Sequence, residues 1–231
     1  MLIFGIDTCC MAATAALMDD TRLLGQIVIN HKKTHSQKMM PQIEFLFEQT
    51  EIDVSEVDYF AAAVGPGSFT GVRIGVATIK AMAQAFKKPC IAVSTLYALA
   101  NNVSLFNGLV CPILDARRGQ VYNALFENNE RVCEDRAIAL DELMEELLKI
   151  GKPVIFCGDA ADVYKNEITE KLGNLANFAQ PMQSMNLAAS VAELGKQMAI
   201  KGETVTYDEL KPEYIRLSQA ERERLEKAEN K

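Results

Sequence analysis

Two aspartates are the first candidates for chemistry, because each ends a short apolar run of strand length. Asp7 follows the run at residues 2–6, and Asp115 follows the run at residues 109–114. A carboxylate at a strand end can take part in a metal or phosphate site, but it more often serves a turn or caps a helix. The sequence leaves both roles open for Asp7.

A glycine-rich loop is the second candidate. Residues 59–64 form an apolar strand-length run, residues 65–71 read Gly-Pro-Gly-Ser-Phe-Thr-Gly, and apolar residues then recur at helical spacing to Phe86. The N–H groups of such a loop, with the helix N-terminus, can hold an anion. The spacing fits neither the dinucleotide fingerprint nor the P-loop, and a tight turn that needs positive φ at glycine is the alternative. The candidate set, a vestigial phosphate site, is Asp7, Gly65, Gly67, Ser68 and Gly71.

No catalytic centre or metal site is predicted. Ser68 lacks the G-x-S-x-G elbow of a serine nucleophile. The only histidines, His31 and His35, have the i, i+4 spacing of metal ligands, but no third ligand is evident, and Lys32 and Lys33 lie between them. Solvated histidines are the preferred interpretation.

The elements that would position these residues follow one order twice. Three short strands, a helix, a strand and a helix occupy residues 2–86, and the same β-β-β-α-β-α order occupies residues 109–172. The predicted domains are residues 1–102 and 103–231. A closing amphipathic helix at residues 187–200 is expected to pack back on the first lobe, and the charged tail at residues 220–231 is expected to be solvated.

This duplicated order resembles the actin, hexokinase and heat-shock (Hsp70-like) ATPase superfamily, abbreviated ASKHA, an α/β fold with two lobes. In that superfamily the lobes close on a nucleotide, the acid of the first strand helps to place magnesium, and tight turns contact phosphates. The resemblance gives one functional hypothesis, a small Mg-ATP-dependent ATPase or phosphotransferase that uses Asp7, Asp115 and the loop at residues 65–71.

Two helices of the first half carry more apolar surface than one core face requires. Residues 34–49 and 72–86 both show apolar side chains outside their main stripes. A second buried face is predicted, as in a helix-bundle interface with another subunit, although burial of both helices inside the lobe is the alternative. The predicted partner-interface residues are Met39, Met40, Ile43, Phe47, Ile74, Ile79 and Met82.

Composition limits the classes of function. The chain has 231 residues, of which 49% are hydrophobic, and a net charge of -7 that disfavours tight RNA binding by this chain alone. No apolar run is long enough to span a bilayer, and no secretion signal is evident. The six scattered cysteines fit free thiols in a reducing compartment, so a cytoplasmic protein is expected.

Three strings, together with Asp7-Thr8, closely resemble the bacterial TsaB (YeaZ) family of tRNA threonylcarbamoyladenosine biosynthesis. The strings are Gly-Pro-Gly-Ser-Phe-Thr-Gly-Val-Arg-Ile-Gly at 65–75, Asp-Ala-Arg-Arg-Gly-Gln-Val-Tyr at 115–122, and Pro-Glu-Tyr-Ile-Arg at 212–216 followed by Ala220-Glu221. The match extends over essentially the whole chain. The sequence departs from the family at Cys9, where serine is usual, and a thiol is the poorer hydrogen-bond acceptor.

The resemblance implies an accessory subunit that is inactive alone. It implies a heterodimer with the catalytic paralogue TsaD, which carries the metal-binding histidine pair, and docking of the P-loop ATPase TsaE. The complex would transfer threonylcarbamoyl from threonylcarbamoyl-AMP to the adenosine beside the anticodon, with tRNA bound only through the complex. The resemblance implies no firmly bound cofactor, although ATP or ADP could bind within the complex, and a homodimer in the absence of the partner. A metallopeptidase, the older label of this superfamily, lacks its metal ligands.

Overall fold

The computed structural model describes residues 1–30 and 35–216, which form two five-stranded sheets with helices packed on their faces. The strands are β1 (Ile3–Asp7), β2 (Ala12–Met18), β3 (Leu23–Asn30), β4 (Tyr59–Gly65), β5 (Cys90–Ser94), β6 (Leu109–Asp115), β7 (Gln120–Glu127), β8 (Glu130–Ala139), β9 (Val154–Cys157) and β10 (Ala176–Phe178). The helices are α1 (His35–Thr50), α2 (Phe69–Phe86), α3 (Thr95–Asn101), α4 (Leu140–Ile150), α5 (Asp159–Val163), α6 (Lys165–Leu172) and α7 (Ala188–Ile200).

The two sheets have the same topology. The strand order is β3-β2-β1-β4-β5 in the first sheet and β8-β7-β6-β9-β10 in the second. In each sheet the first three strands are antiparallel, and the fourth strand runs parallel to the first. The prediction of a duplicated α/β fold with two lobes is therefore confirmed.

The first sheet is covered by helices on both faces. On one face α1 and α2 pack on residues such as Phe4, whose ring lies 5.2 Å from the ring of Phe47. On the other face α7 lies across β1, β2, β4 and β5. A Cβ added to Gly5 would lie 2.9 Å from the carbonyl oxygen of Ala188, so only glycine lets α7 approach β1 this closely.

The second sheet is covered by helices from both halves of the chain, so an apolar core connects the two lobes. Helices α4 and α6 pack on one face through residues such as Leu143 and Ile168. Helix α3 comes from the first half of the chain, and it packs on the other face, where Leu96 and Leu99 belong to one buried cluster with Phe126. This α3 cluster makes the lobe junction a packed interior rather than a solvated hinge.

Three details differ from the sequence prediction. The helix expected at residues 160–172 is two helices, α5 and α6, which meet at Tyr164. Strand β10 has three residues and was not predicted. The third is Pro41, since a proline in a helix interior predicts a late helix start or a kink, yet α1 begins at His35 and includes Pro41. His31 and the tail at residues 220–231 lie outside the described residues, as does the side chain of His35.

Candidate functional site

Four of the predicted partner-interface residues lie in the core of the first lobe. Met39, Ile43, Phe47 and Ile79 are all buried, and the exposed fraction of Ile79 is 0%. They contact the sheet beneath α1 and α2, so their side chains are not available to another subunit. Their burial argues against this part of the prediction, because helical spacing shows which residues share a face but not which face is inward.

The remaining apolar side chains define an outer face on the helix pair. Met40 on α1 is 54% exposed, and Ile74 and Met82 on α2 are half-buried. Exposed small residues follow one another along α2 at a spacing of four. A row of small side chains lets a second helix come close. We call Met40, Ile74, Ala77, Ala81, Met82 and Ala85 the outer face.

The glycine-rich loop is packed against main chain. A Cβ on Gly67 would lie 2.4 Å from the carbonyl oxygen of Cys9, and one on Gly71 would lie 2.1 Å from that of Thr8. The Ser68 amide donates to the Cys9 carbonyl at 2.7 Å, and the Ser68 hydroxyl caps α2 by accepting from the Gly71 amide at 3.3 Å. The space beside these glycines is filled by the β1–β2 connection, which explains them without a bound phosphate.

Asp7 is likewise engaged within the protein. The carboxylate is fully buried, and one oxygen accepts from the Cys9 amide at 2.8 Å while the other accepts from the Asn186 side-chain amide at 2.7 Å. Asn186 lies two residues before α7, so this pair ties the start of α7 to the end of β1. The geometry gives Asp7 a structural role, with both oxygens directed away from solvent.

Acidic groups gather where the ends of β1 and β6 approach each other. Asp159 is an exposed residue, but its carboxylate accepts from the Asp115 amide at 3.0 Å, and partial desolvation, with the neighbouring Asp115 carboxylate, raises the pKa of Asp159. Burial, with the Asp159 and Asp7 carboxylates, also raises the pKa of the Cys10 thiol. This gathering of acidic groups makes the position unfavourable for a phosphate group. Across residues 1–30 and 35–216, no group of three His, Cys, Asp or Glu is placed to hold a metal ion.

An open cavity of about 250 Å³ lies elsewhere, between β5, α3 and α7. Its charged lining is balanced, with Arg131 and Lys201 opposed by Glu203 and Glu213. Neither Asp7 nor the glycines of the loop at residues 65–71 line it. The predicted phosphate residues and the cavity therefore do not form one site.

The structure brings together side chains that the sequence reasoning did not select. The ring of Tyr214 stacks on Phe69 with 4.6 Å between ring centroids, and Arg73 Nε donates to the Tyr214 hydroxyl at 2.9 Å. Arg216 donates to the carbonyl of Ala116 at 2.9 Å. The signal was present in the sequence, since these residues belong to the three strings, but their meeting depends on tertiary structure.

None of the described helices is long and apolar enough to cross a membrane. Within residues 1–30 and 35–216, none of the six cysteines is in a disulfide bond.

Comparison with known proteins places the chain among tRNA-modification proteins. A family model described as TsaD, tRNA N6-adenosine threonylcarbamoyltransferase, matches residues 22–224. The tRNA threonylcarbamoyladenosine biosynthesis protein TsaB of Bacillus subtilis (strain 168) is 34% identical, over 98% of this chain and 99% of that protein. The protein of the same name from Escherichia coli (strain K12) is 26% identical, over 94% and 95% of the two chains.

Solved structures agree on the fold. YeaZ from Pseudomonas aeruginosa superposes with a TM-score of 0.75 at 22% identity, over 92% of this chain and 99% of that chain. The ROK hexokinase of Thermus thermophilus gives a TM-score of 0.51 at 11% identity, over 86% of this chain and 100% of that chain. The predicted actin- and hexokinase-like two-lobe fold is confirmed.

Proposed function

Because the chain belongs to the TsaB family and has a role in tRNA threonylcarbamoyladenosine biosynthesis, we propose that it acts there as a non-catalytic scaffold. In this proposal it pairs with the catalytic paralogue TsaD, makes the complex competent to transfer threonylcarbamoyl to tRNA, and is inactive alone. The ATPase TsaE docks on the assembly, and the chain forms a homodimer when TsaD is absent. Any ATP or ADP binds within the complex rather than to this chain alone.

The outer face is the observation that carries the proposal. Ala77, Ala81 and Ala85 are exposed along α2, a helix whose inward stripe is already fully buried. Exposed alanines at a spacing of four have no packing role in the isolated lobe, but they would let a partner helix lie close to α2.

The similarity of this chain to the TsaD family supports an interface between helices of the two subunits. The model that matches 203 of the 231 residues is that of the TsaD family itself. Two related subunits that each present the same helix pair can pack about an approximate twofold axis, since such an interface uses the same patch on both sides. A homodimer through this face would use the same geometry.

The arrangement around Asp7 supports a role without catalysis. Its carboxylate is satisfied by the Cys9 amide and the Asn186 side chain. The Cys9 thiol is also turned inward, where Sγ donates to the Ala63 carbonyl at 3.4 Å. In an ATPase of this fold those groups would have to face a nucleotide, and a rearrangement of the β1–β2 connection would be needed first.

The decisive experiment places a charge on the outer face. We expect Ala77→Arg and Ala81→Arg to fold normally yet to lose co-purification with TsaD, because each puts a guanidinium where two helices must meet. Asn166→Arg on α6 is the control, since Asn166 is exposed on the other lobe. Undiminished co-purification of both alanine variants would contradict the interface.

A second measurement tests the absence of catalysis. Calorimetric titration of the isolated chain with Mg-ATP is expected to give no micromolar binding and no turnover, and a transfer assay is expected to need TsaD. Micromolar binding coupled to hydrolysis would favour the ATPase or phosphotransferase hypothesis instead.

A further inference from the structure

The three strings at residues 65–75, 115–122 and 212–216 meet at one place on the surface. The first supplies Phe69 and Arg73, which contact Tyr214 from the third. Arg216 from the third then reaches Ala116 in the second. We call Arg73, Arg117, Arg118, Tyr214 and Arg216, with Phe69 beneath them, the arginine–tyrosine patch. It begins at the N-terminal end of α2, where Arg73 lies one helical turn before Ala77 of the outer face, and it extends from there to the β6–β7 connection.

The segment that carries Tyr214 is fixed along its length. The Lys80 ammonium donates to the carbonyls of Asp208 and Leu210 at 3.3 and 3.1 Å, and the Glu213 amide donates to the Val64 carbonyl at 2.8 Å. Leu210 is buried in the first lobe. Tyr214 is nevertheless 43% exposed. The ring is thus held in position with part of its surface open to solvent.

The arginines at the tip of the β6–β7 connection occupy a backbone conformation that does not favour them. Arg117 and Arg118 have φ values of 66° and 57°, in the left-handed region where glycine and asparagine are preferred. Both side chains are exposed, and the described contact of Arg117 is an ion pair with Asp115 at 3.4 Å. Two long cations at such a turn add little to stability, which points to a role in binding.

The patch is basic on an acidic protein. The whole chain carries a net charge of -7. Here four arginines gather, and the acidic side chains beside them include Asp115, Glu213 and Asp159, which interacts electrostatically with Arg117. Arginine is suited to phosphate contacts, and an exposed aromatic ring beside arginine is suited to stacking on an unpaired base. A polyanion would be repelled by most of the surface and attracted here.

We propose that the arginine–tyrosine patch is an RNA-contacting surface, at which the arginines bind the phosphate backbone and Tyr214 stacks on an unpaired base. Given the proposed function, on which this inference rests, the RNA is the tRNA held by the complex. The chain alone binds it weakly, and the patch acts once the paralogue has captured the tRNA.

The test measures tRNA affinity of the assembled complex by fluorescence anisotropy, with transfer activity recorded in parallel. We expect the double variant Arg117→Ala/Arg118→Ala to weaken affinity about tenfold and to reduce the slope of log K against log salt by about 1.5, since each lost phosphate contact removes about 0.7–0.9. Arg22→Ala is the matched control, because Arg22 is also exposed but lies on the β2–β3 turn beside Asp19. It should leave both quantities unchanged.

Variants of Tyr214 distinguish the contribution of stacking to tRNA affinity from that of charge. We expect Tyr214→Ala to weaken affinity about five- to tenfold, with little change of salt slope, and Tyr214→Phe to retain affinity within about twofold, because the ring is kept. Thermal unfolding of each variant confirms that the α2 end is intact. Cross-linking of 4-thiouridine-labelled tRNA should reach Tyr214 in the wild-type complex.

Two results would overturn the inference. The first is a double arginine variant with unchanged affinity and salt slope in a complex that still forms. The second is a variant that keeps tRNA affinity but loses binding of the ATPase, which would make the patch a protein-docking surface. Failure of the proposed function is a different result, in which the wild-type chain neither pairs with TsaD nor supports transfer.

Discussion

At the scale of single residues, the sequence leaves two roles open for Asp7, and its hydrogen bonds favour the structural one. It ends the first strand, where related nucleotide-binding folds place a magnesium-associated acid, but here its oxygens accept from the Cys9 amide and from Asn186. The bond to Asn186 links positions that are 179 residues apart. A buried carboxylate whose hydrogen-bond partners belong to the same chain stabilises the fold.

Asn186→Ala tests this role directly. Removing the side-chain amide leaves one buried carboxylate oxygen of Asp7 without that partner, so we expect a loss of about 1–3 kcal/mol in the free energy of unfolding. Urea denaturation followed by circular dichroism measures it. Asn166→Ala, on the exposed face of α6, is the control and should change stability by less than about 0.5 kcal/mol. Equal stabilities of the two variants would show that the hydrogen bond between Asn186 and Asp7 does not stabilise the fold.

Asp159 gives a pH-dependent expectation. Partial desolvation of its carboxylate, with the neighbouring Asp115 carboxylate, raises the pKa of Asp159 above its ordinary value although the residue is exposed. Its contribution to stability is fully present below the unfolded pKa of about 4 and is lost as pH rises through the higher folded value. Asp159→Asn should therefore gain stability relative to wild type as pH rises above about 4, and Asp162→Asn, at another exposed aspartate of α5, is the matched substitution. A stability difference between Asp159→Asn and wild type that does not change with pH would contradict this expectation.

At the scale of elements, the strand and helix order could be predicted from apolar runs and helical spacing, but the orientation of the helices could not. Spacing groups Ile43 with Phe47 and groups Ile79 with Met82, yet only the sheet beneath determines that Ile43 and Ile79 point inward. The three-residue β10 has no run long enough to detect. The glycines of the loop suggested a ligand, whereas the Thr8 and Cys9 carbonyls that they accommodate are distant in sequence.

Two positions on α2, two residues apart, separate the core from the interface. Ile79→Arg would bury an unpaired charge in the first lobe, so we expect it to unfold the chain or to lower stability by more than about 4 kcal/mol. Ala81→Arg lies on the outer face, and we expect stability within about 1 kcal/mol of wild type. Thermal melts of the two variants distinguish them. An equally large loss of stability in both variants would place Ala81 in the core as well.

At the scale of the whole molecule, the chain order and the spatial lobes do not coincide. Helix α7 follows the second sheet in sequence but covers one face of the first sheet, and α3 precedes the second sheet but covers one of its faces. Each half of the chain therefore supplies a layer of the other half's core.

A fragment of residues 1–102 should consequently fail to fold. Without α7, residues such as Ile3, Ala61 and Ile91 would be exposed on a complete sheet face. We expect this fragment to be insoluble or to lack cooperative unfolding, and co-expression with residues 103–231 to restore a soluble complex. Gel filtration and circular dichroism measure both. A soluble fragment 1–102 with a sharp thermal transition would show that α7 is dispensable.

The α3 cluster also bears on how the subunit moves. In a two-lobe protein with a solvated hinge, amides in each lobe exchange with solvent through separate local openings. Here Leu96, Leu99 and Phe126 share one interior across the junction, so exposure of either sheet requires that this interior be broken. The slowest-exchanging amides of β1 and β6 should report the same opening free energy, and the subunit should transmit a partner's motion as a single rigid body.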